Sequence, residues 1–267
     1  MNSNLQSLVL DKRDSTVASS IASQNELLRE LLDIPETVAT LLPEFKIVPL
    51  TVNQVLYEQG DQIDHVYFPL DAVISNLAIM EDGTTIETSM MGREGLVGIS
   101  TVLGSGISRQ WVWVTVNGSA IQLDAKFLDR LFVRNESALK VLLGCYRSIV
   151  TQVSQRCVCN TRHTILERLC CWLLMVHDRV ENGNDWVESG NISLTQEMIA
   201  SRVGARRAGI TVAAGMLQEM NAIAYRRGQF HISNREVLEH AVCECYSIMQ
   251  ANLKRVSRHT PPSTFSL

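Results

Sequence analysis

Between Lys46 and Asp124 the sequence runs in short β-branched or alternating apolar segments, "KIVPLTVNQVLYEQGD", "HVYFPLDAVISNLAIMEDG", "TTIETSMMG" and "WVWVTVNGSAIQLD", punctuated by Gly and Asp. No long helical period separates them, as the crossovers of a parallel sheet would require. Strands of this length and spacing predict a small antiparallel barrel or jelly roll. At 267 residues and 46% hydrophobic content the chain has apolar material for a second core as well.

The texture changes after Asp124. In "ESALKVLLGCYRSIVTQVSQR" the residues Leu139, Leu142, Leu143, Tyr146, Ile149, Val150 and Val153 recur at three- and four-residue steps, which predicts one long amphipathic helix. Its narrow stripe suits a two-stranded seam, with Leu139, Leu142, Tyr146, Ile149 and Val153 as candidate contacts between two copies. The competing reading is a helix packed on its own barrel. "HTILERLCCWLLMVHDRV" predicts a second, strongly apolar helix, followed by the loop "ENGNDWVESGN".

Residues 195 to 233, "TQEMIASRVGARRAGITVAAGMLQEMNAIAYRRGQFHIS", then read as helix, Gly, helix and hairpin. Thr195 is a candidate N-cap, Gln196 and Glu197 suit a first turn, Gly204 suits the break after Val203, and a second helix is expected from about Arg206 to Met220. Two short helices across a Gly-containing turn form a helix-turn-helix pattern, and the two β-like segments around Arg227 and Gly228 make a wing. At 100° per residue, Ile210, Ala213, Ala214 and Leu217 share one side of the second helix, with Arg207, Ala208, Thr211, Val212 and Gly215 on the other. Arginines beside small and methyl-bearing residues suit a major groove, where Arg pairs with guanine edges and methyl groups meet thymine methyls. Arg206 stands where a capping residue would favour the helix by ~0.5–2 kcal/mol, so a role other than helix stability is expected of it.

Charge sharpens the contrast. From Arg202 to Arg235 there are six arginines (Arg202, Arg206, Arg207, Arg226, Arg227 and Arg235) against Glu219, a local +5 in a chain of formal charge -4. An overall acidic protein with one basic segment fits a localised nucleic-acid contact better than a general coating of polyanion. The candidate DNA-contacting set is Thr195, Gln196, Arg206, Arg207, Ala208, Thr211, Val212, Arg226 and Arg227.

The order of barrel, long helix and winged helix-turn-helix resembles the Crp/Fnr family of bacterial transcription regulators over about residues 40 to 246. The resemblance rests on "VLYEQGDQIDHVYFPLDAVIS" and "GREGLVGISTVLG" in the barrel and on "LTQEMIASRVGARRAGITVAAGMLQEMNAIAYRRGQFHIS" at the C-terminal end. It implies an α+β homodimer whose two recognition helices enter successive major grooves of a roughly palindromic site on double-stranded DNA, with RNA polymerase as a further partner. Cyclic-nucleotide-binding members carry a ribose-binding Glu after the glycine matching Gly98, where this chain has Ile99, and an Arg-Ser pair in whose neighbourhood only Arg109 stands, out of register. Cyclic AMP and GMP are therefore not expected to bind, and Arg109 is the weak candidate for any effector. The first cysteine is Cys145, so the N-terminal iron-sulfur cluster of the oxygen-sensing branch is not expected either. Arg207, Ala208 and Val212 stand where many members carry Arg, Glu and a later Arg, which implies a different half-site.

Other chemistry is sparse. His65 is the one histidine of the barrel region, so a multi-histidine cupin metal site is missing, and no Gly-rich phosphate loop or nucleophile elbow occurs. No catalytic residue, metal ligand or cofactor is assigned. Cys170 and Cys171 read as buried small hydrophobes, His163 and His177 as structural histidines, and Cys157 with Cys159 as a C-x-C poorly arranged on a helix. His240, Cys243 and Cys245 leave a metal or thiol sensor open. Seven cysteines without a secretory signal, a polar start with Asp11 and Asp14, and no run of about 18 apolar residues predict a cytoplasmic protein with reduced thiols. The expected organisation is a mobile 1–25, a helical lead-in and barrel over 26–123, the long helix region at 124–160, the winged helix-turn-helix over 161–247 and a tail at 248–267. The alternative is a barrel enzyme or small-molecule-binding protein with an accessory helical domain.

Overall fold

The computed structural model describes residues 15–180, 192–226 and 229–256. Three short helices lead in: α1 (Ser15–Ala22), α2 (Glu26–Leu32) and α3 (Pro35–Leu41). The expectation of a mobile N-terminus is corrected for residues 15–25. Ala22 is buried in the barrel core, and the fully buried Asn25 caps α2 while its amide donates to the carbonyls of Pro69 (2.8 Å) and Gly95 (2.9 Å). Sequence periodicity could not show this because the anchor is a polar side chain.

Seven strands follow: β1 (Lys46–Leu50), β2 (Val55–Tyr57), β3 (His65–Pro69), β4 (Val73–Ile79), β5 (Thr85–Met91), β6 (Trp111–Val116) and β7 (Gly118–Asp124). They form two antiparallel sheets, in the orders β1-β7-β3 and β2-β6-β4-β5, around a core that includes Val66, Phe68, Ile74, Val114 and Ile121. This is the jelly-roll arrangement expected from the short alternating runs. A bulge between Asn76 and Leu77 sets Leu77 opposite Glu87 and Asn76 opposite Ser89, so that Thr88 is the extra residue of β5. Bulges of this kind re-aim neighbouring side chains, and β5 buries the polar Glu87 and Ser89.

Asp124 caps α4 (Ala125–Arg134) and Asn135 caps α5 (Glu136–Arg162), each accepting a backbone N–H at 2.7 and 2.9 Å. The 27 residues of α5 span roughly 40 Å. Of the two sequence readings of this helix, the packing on its own barrel is seen along one face. Ala138, Val141, Leu142 and Cys145 are buried against the barrel, and the Gln152 amide clamps the backbone N–H and carbonyl of Met90. Leu142 is fully buried in its own chain, so its expected place in an intermolecular seam is corrected. Leu139 and Ile149 are half-buried against the same core. The outward apolar residues are Leu143, Tyr146, Val150, Val153 and Val158.

The C-terminal domain is organised on α6 (Ile165–Val180), which begins with a reciprocal Thr164–Glu167 capping pair and is buried from Leu169 to Val176. Around it lie β8 (Ile192–Ser193), α7 (Gln196–Val203), α8 (Arg207–Glu219), β9 (Ile223–Arg226), β10 (Gln229–Ile232), α9 (Arg235–Ala241) and α10 (Cys245–Val256). β8, β10 and β9 form a small antiparallel sheet. The segment expected to be a tail from 248 is helical to Val256, and Met249 joins the domain core. That core also takes in Val73, Met90 and Val116 from the barrel strands, so the two domains are packed together. Among the described residues, no helix is long and apolar enough to cross a membrane.

Candidate nucleic-acid interface

The helix-turn-helix follows its local signals closely. Thr195 caps α7 by accepting from the Met198 N–H at 3.2 Å, and Gly204 ends it in the left-handed region at φ 68°. The Ala205 N–H closes the turn onto the Ala200 carbonyl, and Arg168 on α6 donates to the Gly204 carbonyl at 3.0 Å. Ile210, Ala213, Ala214 and Leu217 are buried as the helical wheel predicts. Close packing on α6 explains Gly209, since a Cβ there would meet Ile165 Cδ1 at 2.5 Å.

The opposite face of α8 is open. Arg206, Arg207, Ala208, Thr211 and Val212 are exposed, Val212 at 65%. Arg206 occupies the N-cap position without a side-chain cap bond, so the first turn of α8 gives up a stabilisation that Ser or Asp would supply. Thr211 donates to Gln196 Oε1 at 2.8 Å and thereby fixes the start of α7 against the exposed face of α8. Among the described residues, neither Arg206 nor Arg207 pairs with a carboxylate. Arg226 ends β9 opposite Gln229, but its side chain and all of Arg227 lie outside the described residues.

Two arginines of the basic segment serve the protein interior instead, which corrects the local charge count. Arg235 bonds Asp178 (2.8 Å), Glu239 (2.7 Å), the His177 ring and the Tyr246 hydroxyl, holding α9 and α10 to the end of α6. Arg202 is 2% exposed and faces Glu87 of the barrel, its Nε 3.8 Å from the carboxylate, with its guanidinium 5.9 Å from the Trp113 ring. Burial pulls the Arg202 guanidinium below its ordinary value, and the Glu87 charge opposes that shift. Glu87, itself buried, also accepts from Arg156 (2.8 Å), the Trp172 indole (3.1 Å) and Ser75 (2.5 Å). One carboxylate thus joins the barrel, α5, α6 and α7. Thr85 and Ser201 bond hydroxyl to hydroxyl beside it, next to a cleft of ≈ 570 Å³ between the β4–β5 hairpin and the helix-turn-helix.

In the barrel, Gly98 takes φ 97° and leads into a short 3-10 turn, Ile99–Thr101. A Cβ on Gly98 would come within 3.0–3.3 Å of Val66, Ile63 and the Tyr57 hydroxyl, so the loop backbone lies directly on these side chains. The Tyr57 hydroxyl is already donated to the His65 carbonyl, and Arg109 is exposed on its loop. His240 turns to the Glu236 carbonyl of its own helix, whereas Cys243 and Cys245 meet Cys159 and His163 at the end of α5. Burial pushes the Cys145 and Cys170 thiols up to about 12, consistent with inert core residues.

Comparison with known proteins agrees with this geometry. Residues 167–241 match the Crp-like helix-turn-helix domain. Similar solved structures include FixK2 from Bradyrhizobium japonicum (13% identity, TM-score 0.61, 74% of this chain and 98% of that one). A CRP-family transcriptional regulator from Thermus thermophilus aligns at 14% identity and TM-score 0.59, covering 73% and 95% of the two chains. The c-di-GMP responsive global regulator CLP of Xanthomonas campestris aligns at 13% and 0.56, covering 74% and 98%. No curated protein matches by sequence.

Proposed function

We propose that this chain, a Crp-like helix-turn-helix domain joined to a jelly-roll domain in the fold of Crp/Fnr regulators, is a sequence-specific transcription regulator. It acts as a homodimer on a roughly palindromic site in the cytoplasm, by binding and not by catalysis, with RNA polymerase as a further partner. The observation that carries this reading is the exposed face of α8, where Arg206 and Arg207 stand with Ala208, Thr211 and Val212 while nearby Arg202 and Arg235 are held in internal ion pairs. Helix-turn-helix proteins present the N-terminal residues of the second helix to base edges. Arg206 and Arg207 therefore read bases, Ala208, Thr211 and Val212 meet thymine methyls, and Thr195 and Gln196 at the start of α7 lie along the backbone with Arg226 and Arg227 of the wing. The dimer seam is the outward stripe of α5, Leu143, Tyr146, Val150 and Val153. The jelly roll senses an unidentified signal or serves as scaffold. With Val66 and Ile63 under Gly98, the Tyr57 hydroxyl already donated to the His65 carbonyl and Ile99 next in the chain, a cyclic nucleotide finds no carboxylate for its ribose.

Arg207→Ala tests the assignment on duplex selected by the wild-type chain. The expected loss is ~1–3 kcal/mol on that duplex, with relaxed preference at one base pair of each half-site. Arg226→Ala with Arg227→Ala should weaken all duplexes alike and make the salt dependence shallower. Equal losses on selected and scrambled duplexes for Arg207→Ala would assign that residue to phosphate and refute base reading.

A further inference from the structure

We propose that Cys159, His163, Cys243 and Cys245 bind one zinc ion per chain, tying the end of the long helix to the C-terminal domain. Cys159 lies on the last turn of α5 and His163 is the residue that caps it, its backbone N–H donated to the Cys159 carbonyl at 3.1 Å. Cys243 lies in the turn after α9 and Cys245 is the first residue of α10, on the far side of the DNA-binding domain in sequence. The four ligand atoms all lie within 4.8 Å of one another.

The spacing is that of a tetrahedral zinc site before the ion draws it closed. With Zn–S about 2.3 Å and Zn–N about 2.0–2.1 Å, tetrahedral angles require S···S edges of about 3.8 Å and S···N edges of about 3.5 Å. The Cys159 and Cys243 sulfurs are 3.6 Å apart, and Cys245 Sγ is 3.4 Å from His163 Nδ1. Both edges need adjustments of only tenths of an ångström.

The surrounding groups point the same way. Glu244 Oε2 lies 3.3 Å from His163 Nε2, leaving Nδ1 turned towards the sulfurs, as in a carboxylate–histidine–metal arrangement. Gln155 donates its amide to Cys245 Sγ at 3.1 Å, a bond that supports a thiolate ligand. Cys159, Cys243 and Cys245 are buried and the His163 side chain is 12% exposed, so four protein ligands close the site, as in structural zinc centres. A Cys159–Cys243 disulfide would use two of these groups and leave the convergence of Cys245, His163, Gln155 and Glu244 without a role. Three thiolates with one imidazole favour zinc over hard cations such as magnesium or calcium. Cys171 of α6 lies against Cys159 and Cys243 but is not one of the four residues whose ligand atoms converge within 4.8 Å.

The ion would hold together positions 84 residues apart, at the junction where α5 hands over to the C-terminal domain. The assignment does not depend on DNA binding. The full chain, purified reduced and without chelator, should carry one zinc per chain by atomic emission, and cobalt(II) exchanged for it should show the ligand-field bands of a tetrahedral thiolate site. Cys245→Ser and His163→Ala should lose stoichiometric metal, while Cys171→Ser should keep it. Glu244→Gln, an exposed change that spares the core, should weaken zinc binding about 10–100-fold and guards the test if the cysteine variants fail to fold. Folded, reduced wild-type protein without zinc and without a cobalt spectrum would overturn the proposal. So would a Cys159–Cys243 disulfide by mass spectrometry, iron with inorganic sulfide at the site, or loss of metal in Cys171→Ser.

Discussion

Replacing Glu87 by Ala should uncouple the two domains. The carboxylate is 1% exposed and accepts from Arg156, Trp172 and Ser75 while facing Arg202. Its loss leaves two guanidinium groups, with side chains 13% and 2% exposed, where solvent cannot screen them. Removing one partner from a buried ion pair costs about 3–5 kcal/mol. The orphaned Trp172 N–H, worth ~1–3 kcal/mol in isolation, falls within the same loss because a network is not additive. Against a typical stability of about 5–15 kcal/mol, that is a large fraction. Urea unfolding followed by far-ultraviolet circular dichroism and tryptophan fluorescence reads it: wild-type transitions should coincide, and those of Glu87→Ala should move to lower urea and separate. In a double-mutant cycle, adding Arg202→Ala should recover part of the loss, with a coupling of about 0.5–3 kcal/mol. A single-variant loss under about 1 kcal/mol, with the pair additive, would refute the carboxylate as the junction between the domains.

Three further outcomes are expected. Val150→Lys with Val153→Lys should give folded monomers by sedimentation, since both side chains point outward from α5, whereas Leu142→Lys should disrupt the jelly roll itself. A folded dimer in the first variant would place the seam elsewhere. Gly204→Ala should cost about 1–2 kcal/mol from the left-handed backbone alone, because a Cβ there finds ordinary contacts of 3.4–3.6 Å with Asn160; an unchanged unfolding midpoint would count against that geometry. Calorimetry should detect no cyclic AMP or cyclic GMP binding at physiological concentration, and low-micromolar affinity abolished by Arg109→Ala would contradict the reading of the barrel.

What the sequence disclosed depended on the range over which each signal acts. Thr195, Gly204 and the buried stripe of α8 are local signals, and the structure places all of them as predicted. Alternating strands likewise marked the jelly roll. Arg202 looked like part of a DNA-facing patch because charge alone does not reveal a partner on a distant strand. The apolar positions of α5, read as one narrow stripe, divide between two faces, and periodicity could not tell whether Leu142 or Leu143 faced inward. His240 drew attention through its H-x-x-C-x-C spacing, while the residue that joins the cysteines is His163. The four-residue step from Cys159 to His163 was the signal that could have marked it.

Selection of duplexes from a random library by the purified full chain tests the central claim most directly. Two copies related by symmetry, each presenting α8, should enrich an inverted repeat whose half-site centres lie about one helical turn, roughly 34–36 Å, apart. Recovery of no common motif, with equal affinity for selected and unselected duplexes, would contradict the account.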